Sequence, residues 1–182
     1  PSGRSIQRSY ANGERAYYAE ISKRYEDGEL LTADSIKYDS SKLYKTHGGK
    51  TIYGGGGISP DYFVAADTGK LGLTVLKAYN KGLINDFGYK YYLANPSLRN
   101  RFTSIGAFSG SFTISDSDWK FFEQMCDKDS VNMTAITDAE KQYLVKMLKT
   151  SVARQLWRYQ GYFEVSNADD KTVLKAKEIL QK

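Results

Sequence analysis

Residues 48–61 read Gly-Gly-Lys-Thr-Ile-Tyr-Gly-Gly-Gly-Gly-Ile-Ser-Pro-Asp. A short β-prone run, Lys50 to Tyr53, enters four consecutive glycines, Gly54, Gly55, Gly56 and Gly57. Four glycines in a row lose much conformational entropy on folding, so a fold retains them where side chains do not fit or where φ is positive. We predict that the run is structural and turns the backbone sharply between two short strands, with at least one residue at positive φ. A flexible linker and a contact surface for another domain are the alternatives.

Composition sets broad limits on function. The chain has 182 residues, 41% hydrophobic and 14% aromatic, which is enough for a real core in one domain or in a domain plus a smaller lobe. Its net charge of +5 is spread among interspersed residues of both signs, so we expect no nucleic-acid partner. A lone cysteine excludes an internal disulfide framework, and a lone histidine argues against a transition-metal site. We expect no cofactor, no metal and no membrane span.

The composition changes after the glycine run, and we predict two domains, 1–67 and 68–182. The first is expected to be β-rich, with strand candidates at Ser5 to Ser9, Lys42 to Tyr44 and Tyr62 to Val64, and one helix over Glu14 to Tyr25. Gly3 to Gln7 and Gly49 to Tyr53 share the pattern glycine, cation, hydroxyl, isoleucine, larger polar residue. This similarity has two interpretations: the two runs pair as antiparallel neighbours, or the shared pattern is due to chance.

The second domain reads as a bundle of about five helices. The clearest begins with a capping box, Thr137 to Glu140, followed by apolar residues four apart. We predict that this helix is central and ends at Gly161. The other apolar faces are Leu71, Val75 and Ala78; Leu83, Phe87 and Tyr91; Trp119, Phe122 and Cys126 behind a cap at Ser115 or Asp116; and Val173, Ala176 and Leu180 after a start at Asn167 to Asp169. Ser109 to Ile114 reads as a loop or short strand. The predicted fold class is α+β, mainly α, with a small antiparallel β element packed on the helices.

Two short patterns suggest catalysis, but neither is complete. Gly49-Lys50-Thr51 matches the end of a phosphate-binding loop, but Tyr44 occupies the position of its first glycine. Ser117 and Lys120 have the S-x-x-K spacing of some acyl-transfer enzymes, without the companion S-D-N or K-T-G sequences. We predict no nucleotide site and interpret Ser117 as part of a capped helix start. No catalytic residue is assigned.

The remaining candidates have simpler structural interpretations. His47 lacks a second catalytic partner, and Cys126 lies on an apolar helix face, so we expect a loop residue and an inert thiol. A basic and aromatic stretch in the central helix suggests a nucleic-acid surface, but we expect a solvated outer face; it contains Lys141, Tyr143, Lys146, Lys149, Arg154, Trp157, Arg158 and Tyr159. The fifteen tyrosines suggest a peptide or glycan site, or half-buried rims of the core. Asn132 to Thr134 is a glycosylation sequon that matters only in a eukaryotic secretory setting.

Two stretches together resemble a known family. Residues 1–7, Pro-Ser-Gly-Arg-Ser-Ile-Gln, and residues 54–61 resemble the segment downstream of the catalytic lysine in tail-specific, or C-terminal processing, serine peptidases. In many members the two pieces are nearly contiguous, whereas here about forty residues separate them. The longer run Tyr53 to Thr68 is similar to envelope peptidases of Bacteroides-like bacteria, with Ala65-Ala66 where a proline-containing pair is common.

The resemblance implies that this chain contributes no catalytic residue to the peptidase reaction. The family's nucleophilic serine, its general-base lysine and its PDZ-like domain lie upstream of the matching residues, so none transfers to this chain. Because the chain begins at Pro1 in the middle of a motif, we expect it to be part of a longer protein. The resemblance implies a periplasmic or envelope location, polypeptide substrates for the parent, and upstream domains as partners. An extracellular peptide- or glycan-binding module is the alternative, and a nucleic-acid binder is the weaker one. Gly54 to Gly57, Pro60 and Asp61 are the structural motif residues.

Overall fold

A computed structural model describes residues 3–7, 9–66 and 71–181, with only the backbone at position 21. The chain divides into two compact units, Pro1–Thr68 and Gly69–Lys182. The described residues form eight α-helices and one two-stranded antiparallel sheet, which lies in the first unit. The predicted fold class, mainly α with a small antiparallel β element, is therefore confirmed.

The first unit is built around a short hairpin. Strand β1 (Leu43–Lys45) pairs antiparallel with β2 (Thr51–Tyr53), and Tyr44 lies opposite Ile52. Helix α1 (Glu14–Glu26) precedes the hairpin and is followed by 3₁₀ turns at Ala33–Ser35 and Ser40–Lys42. The hairpin confirms the predicted β segments on either side of residues 46–50, and α1 confirms the predicted helix.

Two strand predictions for this unit are wrong, and of the two alternatives left open for the Gly3 to Gln7 run, pairing with Gly49 to Tyr53 is not observed. The described residues of 5–9 and residues 62–64 form no strand, and the partner of β2 is β1 rather than the Gly3 to Gln7 run. β-Branched and aromatic residues favour strands only where a neighbouring chain accepts their backbone hydrogen bonds. Tyr62 illustrates this, since its side chain is 57% exposed and its backbone joins no ladder.

The part of the second unit that the structure describes, residues 71–181, forms seven helices. They are α2 (Leu73–Asn80), α3 (Leu83–Ala94), α4 (Leu98–Arg101), α5 (Ile105–Ser111), α6 (Asp116–Lys128), α7 (Asp138–Ser166) and α8 (Lys171–Leu180), with a 3₁₀ turn at Met133–Ala135. Both predicted N-terminal caps are present as full capping boxes: Ser115 with Asp118 opens α6, and Thr137 with Glu140 opens α7.

Aromatic and aliphatic side chains from several helices form the core of this unit. Phe87, Phe108, Phe122, Leu144 and Leu148 are completely buried. The predicted apolar stripe of α7 is confirmed, because its four members 144, 148, 152 and 156 are all at most 7% exposed. Helix α3 packs along α7 so closely that a Cβ added at Gly88 would collide with Ser151.

Three predictions for the helical half need correction. Residues 105–111 form α5, because Ser104 caps them and Phe108 and Phe112 pack into the core, whereas a loop or short strand was predicted at 109–114. Helix α7 does not end at Gly161 and continues to Ser166 after a break at Trp157 and Arg158. Helix α8 begins later than predicted, behind an Asp170 cap, and Leu180 is 86% exposed rather than on a packed face.

Candidate functional site

The four glycines form a loop with distinct requirements at each position. Gly55 and Gly57 have φ values of +72° and +88°, a conformation that side chains rarely adopt. Gly54 is buried, and a Cβ added to it would lie 2.8 Å from the Tyr44 ring. Gly56 is exposed and has open space around it. Two of the four glycines thus have the positive φ expected for at least one, and a third is constrained by close packing.

The loop does not lead from one strand into another, as the sequence suggested, but holds a separate segment of chain. The Gly55 N–H donates to the Ser5 carbonyl at 2.8 Å, and the Gly57 N–H donates to the Ile6 carbonyl at 3.0 Å. The Arg4 guanidinium also donates to the Gly57 carbonyl at 3.4 Å. The N-terminal segment therefore lies alongside the glycines, two residues beyond β2.

These bonds also bear on the phosphate-loop pattern. A phosphate cradle needs backbone N–H groups that are free to donate to the ligand. The N–H of Gly54 donates to the Lys42 carbonyl at 2.8 Å, and two of the next three already donate to residues 5 and 6. Gly49, Lys50 and Thr51 lie at the hairpin between β1 and β2, where the Lys50 ammonium pairs with the Asp61 carboxylate. This geometry does not provide a nucleotide site.

Pro60 and Asp61 lie on the surface after the glycines. Both are exposed, and the Asp61 carboxylate pairs with Lys50 across the loop exit. An ion pair this exposed stabilises a fold only slightly. Its effect is to connect the exit of the glycine loop to the start of β2.

The surroundings of the candidate nucleophiles, Ser117 and Cys126, give each a role in the fold rather than in catalysis. The Ser117 hydroxyl lies 2.8 Å from the Ser115 hydroxyl at the start of α6. Burial raises the pKa of the Cys126 thiol to about 12, and the carboxylates of Asp127, Asp129 and Glu123 act in the same direction. Because the thiolate is the reactive form, this cysteine is inert at neutral pH. His47 is an exposed residue of the hairpin turn, and no metal-binding group of three or more His, Cys, Asp or Glu occurs among the residues described.

The basic residues of α7 do not form one charged face. The Lys141 ammonium lies 5.0 Å from the centre of the Trp119 ring, and Lys146 pairs with Asp169. The Lys149 ammonium donates to the Ser109 carbonyl at 2.7 Å, and burial lowers the pKa of this amine. These lysines contact three different parts of the unit, so the structure does not group them as a nucleic-acid surface.

Helix α7 reverses direction at its break. Trp157 and Arg158 have non-helical angles, with φ +56° and ψ −138° at Arg158. In an unbroken helix, residues 23 apart are separated by about 35 Å, yet Lys146 and Asp169 form an ion pair. A Cβ added at Gly161 would lie 2.6 Å from the Ala153 carbonyl oxygen, so glycine permits the close return. We call residues 138–156 the first arm of α7 and residues 159–166 the second arm.

A cleft of about 480 Å³ lies between the two arms, and α2 and α3 also contribute to it. The first arm contributes Tyr143, Met147 and Arg154, and the second contributes Tyr162 and Phe163. The volume is within the range typical of ligand sites. The described residues that line it include two cations and no carboxylate.

The sequence identified only part of this cleft. The sequence grouped Tyr143, Lys146, Arg154 and Tyr159 as basic and aromatic residues, whereas the other residues that the second arm contributes, Tyr162, Phe163 and Ser166, were missed. A signal was present, because residues 159, 162, 163 and 166 and residues 143, 147, 150 and 154 each follow the three- and four-residue repeat of one helix face. When a helix with two polar and aromatic stripes is broken between them, its two arms can fold together so that the stripes line a cleft.

Comparison with known proteins gives one similarity. A family model described as a family of unknown function (DUF8443) matches residues 74–158, from α2 to the break in α7. Neither the curated proteins nor the solved structures include a match to this chain. The similar region is the core of the helical unit, and it includes neither the glycine loop nor the second arm of α7. No helix among residues 3–7, 9–66 and 71–181 is long and apolar enough to cross a membrane.

Proposed function

We propose that the chain is the non-catalytic C-terminal portion of a bacterial envelope serine peptidase that degrades or processes polypeptides. In this role it supports the catalytic core or substrate access, and its partners are the upstream catalytic and PDZ-like domains of the same protein. The proposal rests on the sequence resemblance of residues 1–7 and 54–61, together with the position of these two pieces in the first unit.

One observation supports the resemblance beyond sequence. Ser5 and Ile6 accept hydrogen bonds from Gly55 and Gly57, so the two resembling pieces are in contact although about forty residues separate them. The described residues between them include α1 and β1 and form an excursion from that contact. In many members of the resembled family the two pieces are nearly contiguous in sequence. An insertion between them that leaves them adjacent in space is consistent with a shared local structure.

The experiment uses the complete reading frame and the chain alone, with fluorescently labelled unfolded casein as the substrate. The complete protein is expected to cleave casein, and the isolated chain is expected to leave it intact. In the complete protein, Gly57→Val should reduce cleavage because it disturbs the contact with Ile6, whereas Gly56→Ala, at an open position, should not.

Two results would reject the proposal. The first is a complete reading frame that encodes no peptidase domain, or one whose protein product does not cleave casein. The second is cleavage by the isolated chain that disappears in Ser117→Ala or Lys120→Ala, which would restore the S-x-x-K interpretation.

An extracellular peptide- or glycan-binding module remains a second candidate. The observation that favours it is the cleft of α7, which is lined by aromatic side chains from both arms. Tyrosine and phenylalanine provide large contact areas for polypeptides and sugars. This candidate predicts binding by the isolated chain, independent of any upstream domain.

A further inference from the structure

We propose that the cleft between the two arms of α7 binds a polypeptide segment in which an acidic side chain is flanked by apolar or aromatic residues. The inference deepens the proposed function by naming a substrate class, and it rests on that function only for its biological context. The site itself follows from the charge, shape and lining of the cleft.

Charge indicates the acidic group. The Arg154 guanidinium lies 5.5 Å from the centre of the Tyr159 ring and pairs with no carboxylate among the described residues. The other cation of the cleft, Lys146, is already paired with Asp169. An arginine held against an aromatic face presents its planar N–H groups to a carboxylate in a fixed orientation. With this arginine and, among the described residues of its lining, no Asp or Glu, the cleft is complementary to a negative group.

The lining indicates apolar neighbours for that group. Tyr143, Met147, Tyr162 and Phe163 surround the cleft, and Phe163 is 54% exposed. Exposed aromatic and methionine side chains grouped around a cavity are typical of surfaces that bind apolar side chains. Arg154 stands among them, so the ligand needs a charge and apolar groups within a short distance.

Shape indicates a chain rather than a compact molecule. A second cavity of about 620 Å³ adjoins the cleft and shares Asn85, Arg154 and Tyr159 with it. The other described residues that line this second cavity are Asp86, Tyr89, Gln155 and Arg158, so it holds one carboxylate and a second guanidinium, and its aromatic surface comes from Tyr89 and Tyr159. The two cavities together form a groove with Arg154 at their junction. An extended peptide can place its acidic residue at this junction, one apolar neighbour in the first cavity and the other neighbour against the Tyr89 and Tyr159 rings of the second cavity.

The backbone at the end of the groove supports a binding role. Arg158 has φ +56° and ψ −138°, a combination that is essentially restricted to glycine. Residues held in such conformations cluster at ligand sites, where the surrounding fold maintains the strain. Here the strained residue makes the reversal that brings the second arm to the cleft.

The test measures fluorescence anisotropy of three labelled peptides with the full chain: Gly-Phe-Asp-Leu-Gly, its Asn counterpart, and Gly-Ser-Asp-Ser-Gly. The Phe-Asp-Leu peptide is expected to bind at least tenfold more tightly than either of the others. In the Arg154→Gln variant, the affinity for the Phe-Asp-Leu peptide should fall to that for the Asn peptide. In the Phe163→Ser variant, the affinity for both peptides that contain Phe should fall. Arg99→Gln is the matched control, because Arg99 also lies over a tyrosine, Tyr92, but outside both cavities.

Several results would overturn the proposal. These are equal affinities for the acidic and neutral peptides, no effect of Arg154→Gln, an equal loss in Arg99→Gln, or displacement of the peptide by a chitin hexasaccharide at lower concentration than by unlabelled peptide. Circular dichroism establishes that each variant is folded, and Arg154 and Phe163 are both exposed. The two proposals fail separately. Peptide binding by a chain whose complete protein lacks peptidase activity rejects the proposed function alone, whereas cleavage without an Arg154 effect rejects this site alone.

Discussion

An alanine scan of the glycine loop should give a different result at each of the four positions. At Gly55 and Gly57 alanine must adopt positive φ, which costs about 1–2 kcal/mol. Restricting the unfolded chain returns about 0.4–1 kcal/mol. The net expected effect is a loss of up to about 1.6 kcal/mol for each. At Gly56, where φ is not in the left-handed region and the surroundings are open, only the favourable contribution remains, and stability should rise by about 0.4–1 kcal/mol.

Gly54→Ala tests packing rather than backbone conformation. Its new methyl group would lie 2.8 Å from the Tyr44 ring and 3.4 Å from the Ser5 carbonyl oxygen. Overpacking of this kind costs about 1–3 kcal/mol when the neighbours cannot move away. Tyr44→Ala in the same chain removes the ring, so Gly54→Ala should cost less in that background. This double-mutant comparison separates the ring contact from any general effect of the substitution.

The assay must report on the first unit. Both tryptophans, Trp119 and Trp157, lie in the helical unit, so tryptophan fluorescence does not probe the loop directly. Amide hydrogen exchange across residues 43–57 is the appropriate measurement. In the parent chain the N–H groups of Gly54, Gly55 and Gly57 should be protected by their carbonyl partners. Gly55→Ala and Gly57→Ala should speed exchange in β2, and Gly56→Ala should slow it.

The result that refutes this reasoning is a scan in which all four substitutions leave protection unchanged or increase it. The glycines would then be a flexible linker, or a contact surface for another domain. A scan in which Gly56→Ala is the most destabilising variant would also reject the assigned backbone conformations.

Three further predictions concern the helical unit. Leu148→Ala should lower the free energy of unfolding by about 2–5 kcal/mol because Leu148 is completely buried, whereas Leu180→Ala, at an 86% exposed position, should change it by less than about 0.5 kcal/mol in urea denaturation; a small Leu148 effect would place that residue on the surface. Arg158→Gly should stabilise the chain, because it relieves about 1–3 kcal/mol of backbone strain and costs only about 0.5–1 kcal/mol of conformational entropy on folding. Arg154→Gly, in the regular part of the helix, should destabilise the chain by about 1 kcal/mol. Equal losses of stability in the two variants would contradict the break at Arg158. The Thr137 N–H and hydroxyl, and then the Gly72 N–H, lower the pKa of Glu140, so its stabilisation is present above the ordinary value of 4.5 and is lost as pH falls through the lowered pKa; Glu140→Gln should reduce this acid sensitivity in denaturation at several pH values, and an unchanged pH profile would exclude the carboxylate as its source.

Local rules predicted the parts of the fold that depend on neighbouring residues. The capping box at Thr137 needs only residues three apart, and the α7 stripe needs only a regular spacing, so both could be identified from sequence. The strand candidate at Tyr62 to Val64 failed because a strand also needs a partner, and sequence does not reveal which distant backbone is available. Likewise, the glycines suggested positive φ but gave no indication that Ser5 and Ile6 would accept their hydrogen bonds.

The reversal of α7 marks the limit of such reasoning at the proposed site. Breaks in helices are ordinarily attributed to proline or glycine, and Gly161 therefore looked like the end of α7. The actual break lies four residues earlier, at two residues with ordinary helix-forming ability. Trp157 packs edge-on against the buried Phe108 ring of α5, 5.5 Å between centres, and Arg158 has the strained angles that turn the chain. Gly161 then permits the second arm to approach Ala153 closely. Gly161 therefore marks the place where the two arms meet rather than the end of the helix. The break itself coincides with Trp157, whose aromatic partner Phe108 lies about fifty residues away in the sequence. The helical spacing of the aromatic residues can be seen in the sequence, but the cleft and the position of Arg154 at its junction exist only after the turn, so they depend on packing between residues that are distant in the sequence.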